Sequence, residues 1–297
     1  MTIQQLQYLL EVYHTGSISR AAKNLYVAQS SVSNSVNTLE SELGFPIFFR
    51  NWQGVTPTTR GLQVLDQAAR ICESYRIMTE TSNPVSRHIR IGSAAYAPIS
   101  DAFIRLMLEH QDSDSISFSH LTCDMATAVE KLSLFELDLG ILLAYSPHVR
   151  TIEGLLKSKG LSWTVGKAIP VTLRIGHGHR LYDKPDVSLR DFENDVLVDP
   201  PHGGTAYNEF LKNIMDINSI RVMLIGEQRT RYRLVSQGVA FSVGCKLPEY
   251  VNAQYGFRSI PVEGLQYNLI TVTNPLRPIL PEVQRFLTLL EEELSAI

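Results

Sequence analysis

Residues 3–43 constrain this chain most, because three short helical patterns follow one another with almost no chain between them. Ile3, Leu6, Leu9, Leu10 and Tyr13 recur at helical spacing, and Gly16 ends that segment. Ser17 is placed to cap a second helix over 18–25, where Ala21, Ala22 and Leu25 give a small-residue packing face. After Tyr26-Val27-Ala28 a third helix is expected over 29–43, with Val32, Val36, Leu39 and Leu43 inside and Gly44 as its stop. Two helices that cross on small residues over a three-residue turn form a helix-turn-helix, whose second helix can enter a major groove about 12 Å wide. Residues 46–50 then read as a strand, 51–54 (including Gln53) as a tight turn and 55–56 as a returning strand. That hairpin is a wing beside the third helix, with Arg50 aimed at phosphate or the minor groove.

From Thr58, a candidate N-cap, a helical pattern runs to about residue 82, where Asn83-Pro84 breaks it. Leu62, Leu65, Ala69, Cys72 and Arg76 make a narrow stripe suited to pairing with another helix; packing on its own domain is the alternative. Past residue 88, strands alternate with helices. Strands are expected at 89–91, 116–119, 139–143, 171–175, 196–198, 221–225 and 239–243. Helices are expected at 98–109, 126–135, 206–215, 230–237 and 280–294. About 200 residues of this texture make an α/β architecture large enough for two lobes.

A length of 297 residues fits two or three domains. No apolar run reaches membrane-spanning length, and the N-terminus has no secretory pattern, so the expected location is cytoplasmic. Cys72, Cys123 and Cys245 are too far apart for a disulfide framework or zinc ligation and read as free thiols, with a redox switch as the alternative. The net charge of −3 does not exclude nucleic acid, since only the local charge meets the phosphates.

In combination these segments resemble the LysR-type transcriptional regulators, across the whole chain. The matching residues are Leu6-Gln7-Tyr8-Leu9, Gly16-Ser17-Ile18-Ser19-Arg20-Ala21-Ala22, Gln29-Ser30-Ser31-Val32-Ser33, Leu39-Glu40-Ser41-Glu42-Leu43-Gly44, Phe48-Phe49-Arg50 and Thr58-Thr59-Arg60-Gly61. Glu136-Leu137-Asp138-Leu139-Gly140-Ile141 and Gln237-Gly238-Val239-Ala240 resemble the family's lobe signatures. The resemblance implies an N-terminal all-α winged helix-turn-helix over 1–61, a dimerising linker helix over 62–87 and an α/β effector domain over 88–297. That domain would be two-lobed, like periplasmic binding proteins: lobe 1 about 88–161 and 272–297, lobe 2 about 162–271, with crossings near 160–168 and 262–272. The implied partners are double-stranded DNA, a small-molecule effector and further copies of the chain as dimer or tetramer, with no membrane.

The expected DNA-facing residues are Arg20, Gln29, Ser30, Ser31, Ser33, Asn34, Asn37, Arg50 and Gln53, since amides and hydroxyls can pair with base edges. Ala28 stands where the family usually has a capping serine, and Asn34 and Asn37 where arginine is common. A missing cap costs roughly 1 kcal/mol, which Ser30 or Ser31 could offset by starting the helix later. Within 1–61, Arg20, Lys23, Arg50 and Arg60 face Glu11, Glu40 and Glu42, four against three, so one head alone should bind DNA weakly. By position the effector site takes Ser93, Ala95, Tyr96, Thr122, Tyr145, His202, Thr205, Gln228 and Thr230, and the effector is expected to be small, polar and anionic. His177-Gly178-His179 with His202 invites a metal-site reading but reads instead as a loop after a strand, and no P-loop, G-x-S-x-G or G-x-G-x-x-G occurs. No catalytic residue, metal or cofactor is expected.

Overall fold

The computed structural model describes residues 1–52, 54–80, 87–200, 220–295 and 297. Gln53, His202, Thr205, the Asn83-Pro84 breaker and the helix expected over 206–215 lie outside the described residues. The chain divides into two units, Met1–Arg87 with Ser133–Glu136, and His88–Leu132 with Leu137–Ile297.

The first unit opens with α1 (Ile3–Thr15), started by a reciprocal cap between Thr2 and Gln5 and closed by Gly16 in the left-handed region. Helices α2 (Ile18–Asn24) and α3 (Gln29–Leu43) follow, then the antiparallel wing strands β1 (Phe48–Asn51) and β2 (Gly54–Pro57). Leu9, Val12, Val32, Val36, Leu39 and Ile47 are fully buried and form one core. The wing is tied to the helices by the Val55 amide, which donates to the Gly16 carbonyl at 2.9 Å. Thr58 begins α4 (Thr59–Glu80): its Oγ1 accepts from the Gly61 amide at 2.8 Å and donates to the Pro46 carbonyl at 2.9 Å. No side chain fits at Gly61, where a Cβ would lie 2.0 Å from the Ile47 carbonyl oxygen.

Helix α4 packs along α1, which corrects part of the pairing stripe read from the sequence. Leu65 and Ala69 are buried inside the first unit, because the face that carries them serves the head's own core. The exposed apolar residues of α4 are Leu62, Ile71, Tyr75 and Met78.

In the second unit β3 (Arg87–Ser93), α5 (Ala97–Glu109), β4 (Ile116–Thr122), α6 (Met125–Ser133), β5 (Leu139–Tyr145) and α7 (Val149–Ser158) lead into a long β6 (Ser162–Gly176). Then come β7 (Val196–Asp199), β8 (Arg221–Leu224), α8 (Gln228–Ser236), β9 (Ser242–Cys245), α9 (Glu249–Tyr255), a long β10 (Phe257–Thr273) and α10 (Pro281–Ser295). The main sheet has the order β4-β3-β5-β10-β6-β9, with β3 and β5 parallel. Strands β6 and β10 are antiparallel partners over most of their length. Residues 162–168 pair with 268–273 next to β5, and 171–176 pair with 257–262 next to β9. An irregularity between Val262 and Gln266 separates the two stretches, so the pair runs from one half of the sheet to the other. The parallel pair β7-β8 joins the second half through a bridge from Leu197 to Phe241.

Each half has its own packing. Ile89, Ile99, Leu106, Phe286 and Leu290 fill the space between the sheet and helices α5 and α10, while Leu132, Leu142, Leu156 and Val272 pack on the opposite face. Val171, Leu173, Phe192 and Phe241 centre the second half. The expected strand over 239–243 begins later, because the turn that ends α8 still holds Val239, whose amide donates to the Leu234 carbonyl. Among the described residues no helix is long and apolar enough to cross a membrane.

Candidate nucleic-acid interface and ligand cleft

Buried Ala21 and Ala22 let α2 approach α3, and Ser17 caps α2 by accepting from the Arg20 amide. Helix α3 shows two faces. Val32, Val36 and Leu39 are buried, while Gln29, Ser30, Ser31, Asn34 and Asn37 are exposed and Ser33 is half-buried. The helix starts at Gln29 with no side-chain cap on it. Ser30 and Ser31 therefore do not replace the missing cap; the Ala28 carbonyl accepts from the Ser31 and Val32 amides directly, which leaves no later start to be capped.

The exposed polar groups are partly preorganised. Ser19 Oγ donates to Gln29 Oε1 at 3.1 Å, and Arg50 Nη2 donates to Asn37 Oδ1 at 2.6 Å and lies 3.5 Å from Glu40 Oε2. Glu40 Oε1 accepts from the Ile47 and Phe48 amides at 2.7 and 3.1 Å, so this acid anchors the wing. Glu11 accepts from Asn24 at 2.8 Å. Arg20 is exposed on α2, and Arg60 lies 5.3 Å over the Phe45 ring. Tyr26, Phe49 and Trp52 also stand exposed, at 95%, 61% and 91%. Sequence reading did not single these out, although aromatic residues in a turn and a wing were the available signal.

The residues expected at the effector site separate on inspection. Ser93 is turned inward, donating to the Ala94 carbonyl at 3.0 Å and paired with His120 Nε2 at 2.7 Å. Burial pulls His120 below the usual histidine range. Ala95 and Thr122 are exposed beside β3 and β4. Thr230 Oγ1 is held by Glu227 Oε2 at 2.6 Å, and the same carboxylate accepts from the Arg229 and Thr230 amides, so a fixed negative charge already occupies the start of α8. Gln228 donates to the Tyr232 hydroxyl at 2.9 Å.

Tyr96 and Tyr145 do meet other parts of the fold. The buried Tyr96 hydroxyl donates to the Lys246 carbonyl at 2.8 Å, across 150 positions of chain, and Tyr145 faces Tyr267 with ring centroids 6.2 Å apart. Burial pushes the Tyr96 and Tyr267 phenols well above the tyrosine range, so both stay neutral donors. Arg174, Asp199 and Arg231 are buried nearby and were missed. Arg174 influences Tyr96, Tyr267 and Cys245, and Asp199 influences Tyr267 and Arg231. The signal for Arg174 was present: a cation inside the otherwise uncharged strand 171–175. Arg231 Nη1 holds the Ile225 and Gly226 carbonyls, and Tyr182 meets His177 while His179 Nδ1 accepts from the Leu181 amide. Burial raises all three cysteine thiols, Cys245 to about 12.

A winged helix-turn-helix with an outward face of amides and hydroxyls, joined to an α/β unit, defines a DNA-binding regulatory protein. The family model described as the bacterial regulatory helix-turn-helix protein of the lysR family matches residues 3–62. Residues 3–62 therefore carry the helix-turn-helix of lysR-family bacterial regulators. The chain is 33% identical over 146 residues to a probable transcriptional regulator, LrrA, of Synechococcus elongatus, spanning half the length of that protein. It is 24% identical to the small neutral protease regulatory protein of Streptomyces coelicolor over 93% of this chain and 87% of that one. Among solved structures, full-length OxyR from Pseudomonas aeruginosa has a TM-score of 0.67 at 17% identity, covering 99% of this chain and 95% of that chain. Full-length CbnR in complex with its target DNA has a TM-score of 0.56 at 17% identity, covering 99% and 100%. These structures share the fold over the whole chain, which confirms the α/β architecture with an N-terminal winged helix-turn-helix.

Proposed function

We propose that the chain is a cytoplasmic, sequence-specific regulator that acts by binding rather than by catalysis, and whose DNA-bound state is controlled by a small polar effector. The observation that supports this best is the division of α3 into a buried Val32, Val36, Leu39 face and an exposed face of Gln29, Ser30, Ser31, Asn34 and Asn37. On this reading residues 1–61 read DNA, α4 pairs with a second copy, and 88–297 bind the effector between the lobes. The exposed Leu62, Ile71, Tyr75 and Met78 supply an apolar face for that pairing. Two heads on one DNA raise the affinity of a weakly cationic single head through effective concentration.

The test is a mobility shift with DNA from the gene's own promoter region against unrelated competitor. Asn34→Ala should reduce the preference for promoter DNA by about 1–3 kcal/mol if Asn34 reads a base, leaving competitor binding intact. Equal binding of both DNAs by the unaltered chain would overturn the reading. So would a salt slope matching ten or more phosphate contacts per head.

A further inference from the structure

Thr172 and Arg174 lie two apart on β6 and so share a face of the strand, opposite Val171, Leu173 and Ile175, which fill the core of the second half of the sheet. Both are more than nine-tenths buried. Arg174 donates from Nε to Ser242 Oγ at 3.1 Å and from Nη1 to the Cys245 carbonyl at 2.9 Å, two neutral partners. Its Nη2 lies over Gly244, where a Cβ would come within 2.6 Å of it, and it has no hydrogen bond among the described residues. Gly244 is the register partner of Thr172, so the guanidinium reaches back along β9 to the level of that threonine. The Thr172 hydroxyl is buried with no hydrogen-bond partner among the described residues. Cys245 is a neutral thiol, and Tyr96 and Tyr267 are neutral phenols, so none of these neighbours neutralises the cation.

A permanently charged guanidinium buried against neutral partners, beside an orphaned hydroxyl, is expensive unless something completes it. The missing complement is an acceptor with negative charge. We propose that Arg174 Nη2 and Thr172 Oγ1 together receive a carboxylate of the effector. This rests on the proposal that the α/β unit binds a small effector, and it specifies the ligand's class and the residues that select it. Arginine suits the role because its planar fork matches a carboxylate and it cannot lose its proton there. Gly244 is required for space alone: any side chain would push the guanidinium aside.

The experiment uses the full chain and a thermal-shift panel of acetate, succinate, citrate, benzoate and glutamate, each beside its neutral amide, followed by titration calorimetry on the best carboxylate. At least one carboxylate should stabilise the unaltered protein while its amide does not. Arg174→Met should weaken that carboxylate by about a hundredfold, and Arg174→Lys should recover only part of the loss. Thr172→Val should cost roughly fivefold. Gly244→Ala displaces only the end of a flexible side chain, so it should fold normally and still weaken binding; it decides the matter if Arg174→Met does not fold. The inference is overturned if no carboxylate in the panel stabilises the chain, or if Gly244→Ala and Thr172→Val bind like the unaltered protein. A neutral amide that stabilises the chain equally, and is indifferent to Arg174→Met, also overturns it while leaving an effector cleft intact.

Discussion

The two units treat polar groups in opposite ways. In the first, the groups proposed to meet a partner are exposed on one helix, and local bonds hold them: Thr2 and Gln5 start α1, Ser17 starts α2, and Glu40 fixes the wing. In the second, the informative polar groups are buried and joined over long stretches of sequence, as Tyr96 to Lys246, Arg174 to Ser242, and Asp138 to Arg90 and Arg277. The first arrangement is a surface ready before its partner arrives. The second makes ionised groups depend on whichever neighbour completes them, and so ties the proposed ligand binding to the stability of the unit.

The largest expected effect therefore lies in the second unit. Buried Asp138 accepts from the Arg90 amide at 2.7 Å and pairs with the Arg277 guanidinium. Asp138→Asn removes the negative charge that pairs with buried Arg277 and should cost about 3–5 kcal/mol. Trp52 and Trp163 are the chain's two tryptophans, one in each unit, so urea unfolding of a Trp52→Phe background isolates the second. An unchanged midpoint there would end the contrast between the units.

In the first unit the closest parallel is steric. Gly61→Ala forces a methyl group against the Ile47 carbonyl oxygen and should cost about 1–3 kcal/mol by overpacking. Unfolding followed through Trp52, with Trp163→Phe, measures it, and DNA binding should fall with it because the wing leaves α4 at that contact.

The same contrast governs what could be read from the chain in advance. The caps at Ser17 and Thr58, the Ala21-Ala22 crossing and the buried stripe of α3 are all signals within a few residues, and each has its counterpart in the fold. The strands of the second unit were legible as short apolar runs, but β6 and β10 are much longer than any such run. Their outer portions include polar and exposed residues that periodicity does not mark as strand. Position relative to strand ends placed Tyr96 and Tyr145, which prove to meet distant parts of the fold, beside Ser93 and Thr230, whose hydroxyls His120 and Glu227 hold. Arg174 could be found only by asking why a strand that should be apolar holds a cation.

A smaller effect is expected from pH. His120 is held neutral by burial, so its folded pKa lies below the ordinary 6.5 of the unfolded chain. As pH falls through 6.5 the unfolded state takes up the proton first, and stability drops until the folded pKa is passed. His179, lowered chiefly by burial, adds a drop of the same sign. His120→Gln should flatten the change in the second unit's urea midpoint between about pH 7.5 and about pH 5.5. A slope as steep as in the unaltered chain would show that the Ser93 and Phe103 contacts do not hold the ring neutral.

The smallest prediction improves the head instead of damaging it. Helices α1 and α2 begin on a side-chain cap, and α3, the helix proposed to face DNA, does not. Ala28 already has the extended backbone that a cap requires, with φ −66° and ψ 141°. Ala28→Ser should let a hydroxyl accept from an amide of the first turn and raise the first unit's stability by about 1 kcal/mol. Promoter DNA should bind slightly better, since less of the population frays at Gln29 and Ser30. The second unit's transition should not move. If stability is unchanged, the Ala28 carbonyl's bonds to the Ser31 and Val32 amides already hold the first turn, and the missing cap is not a weakness of this head.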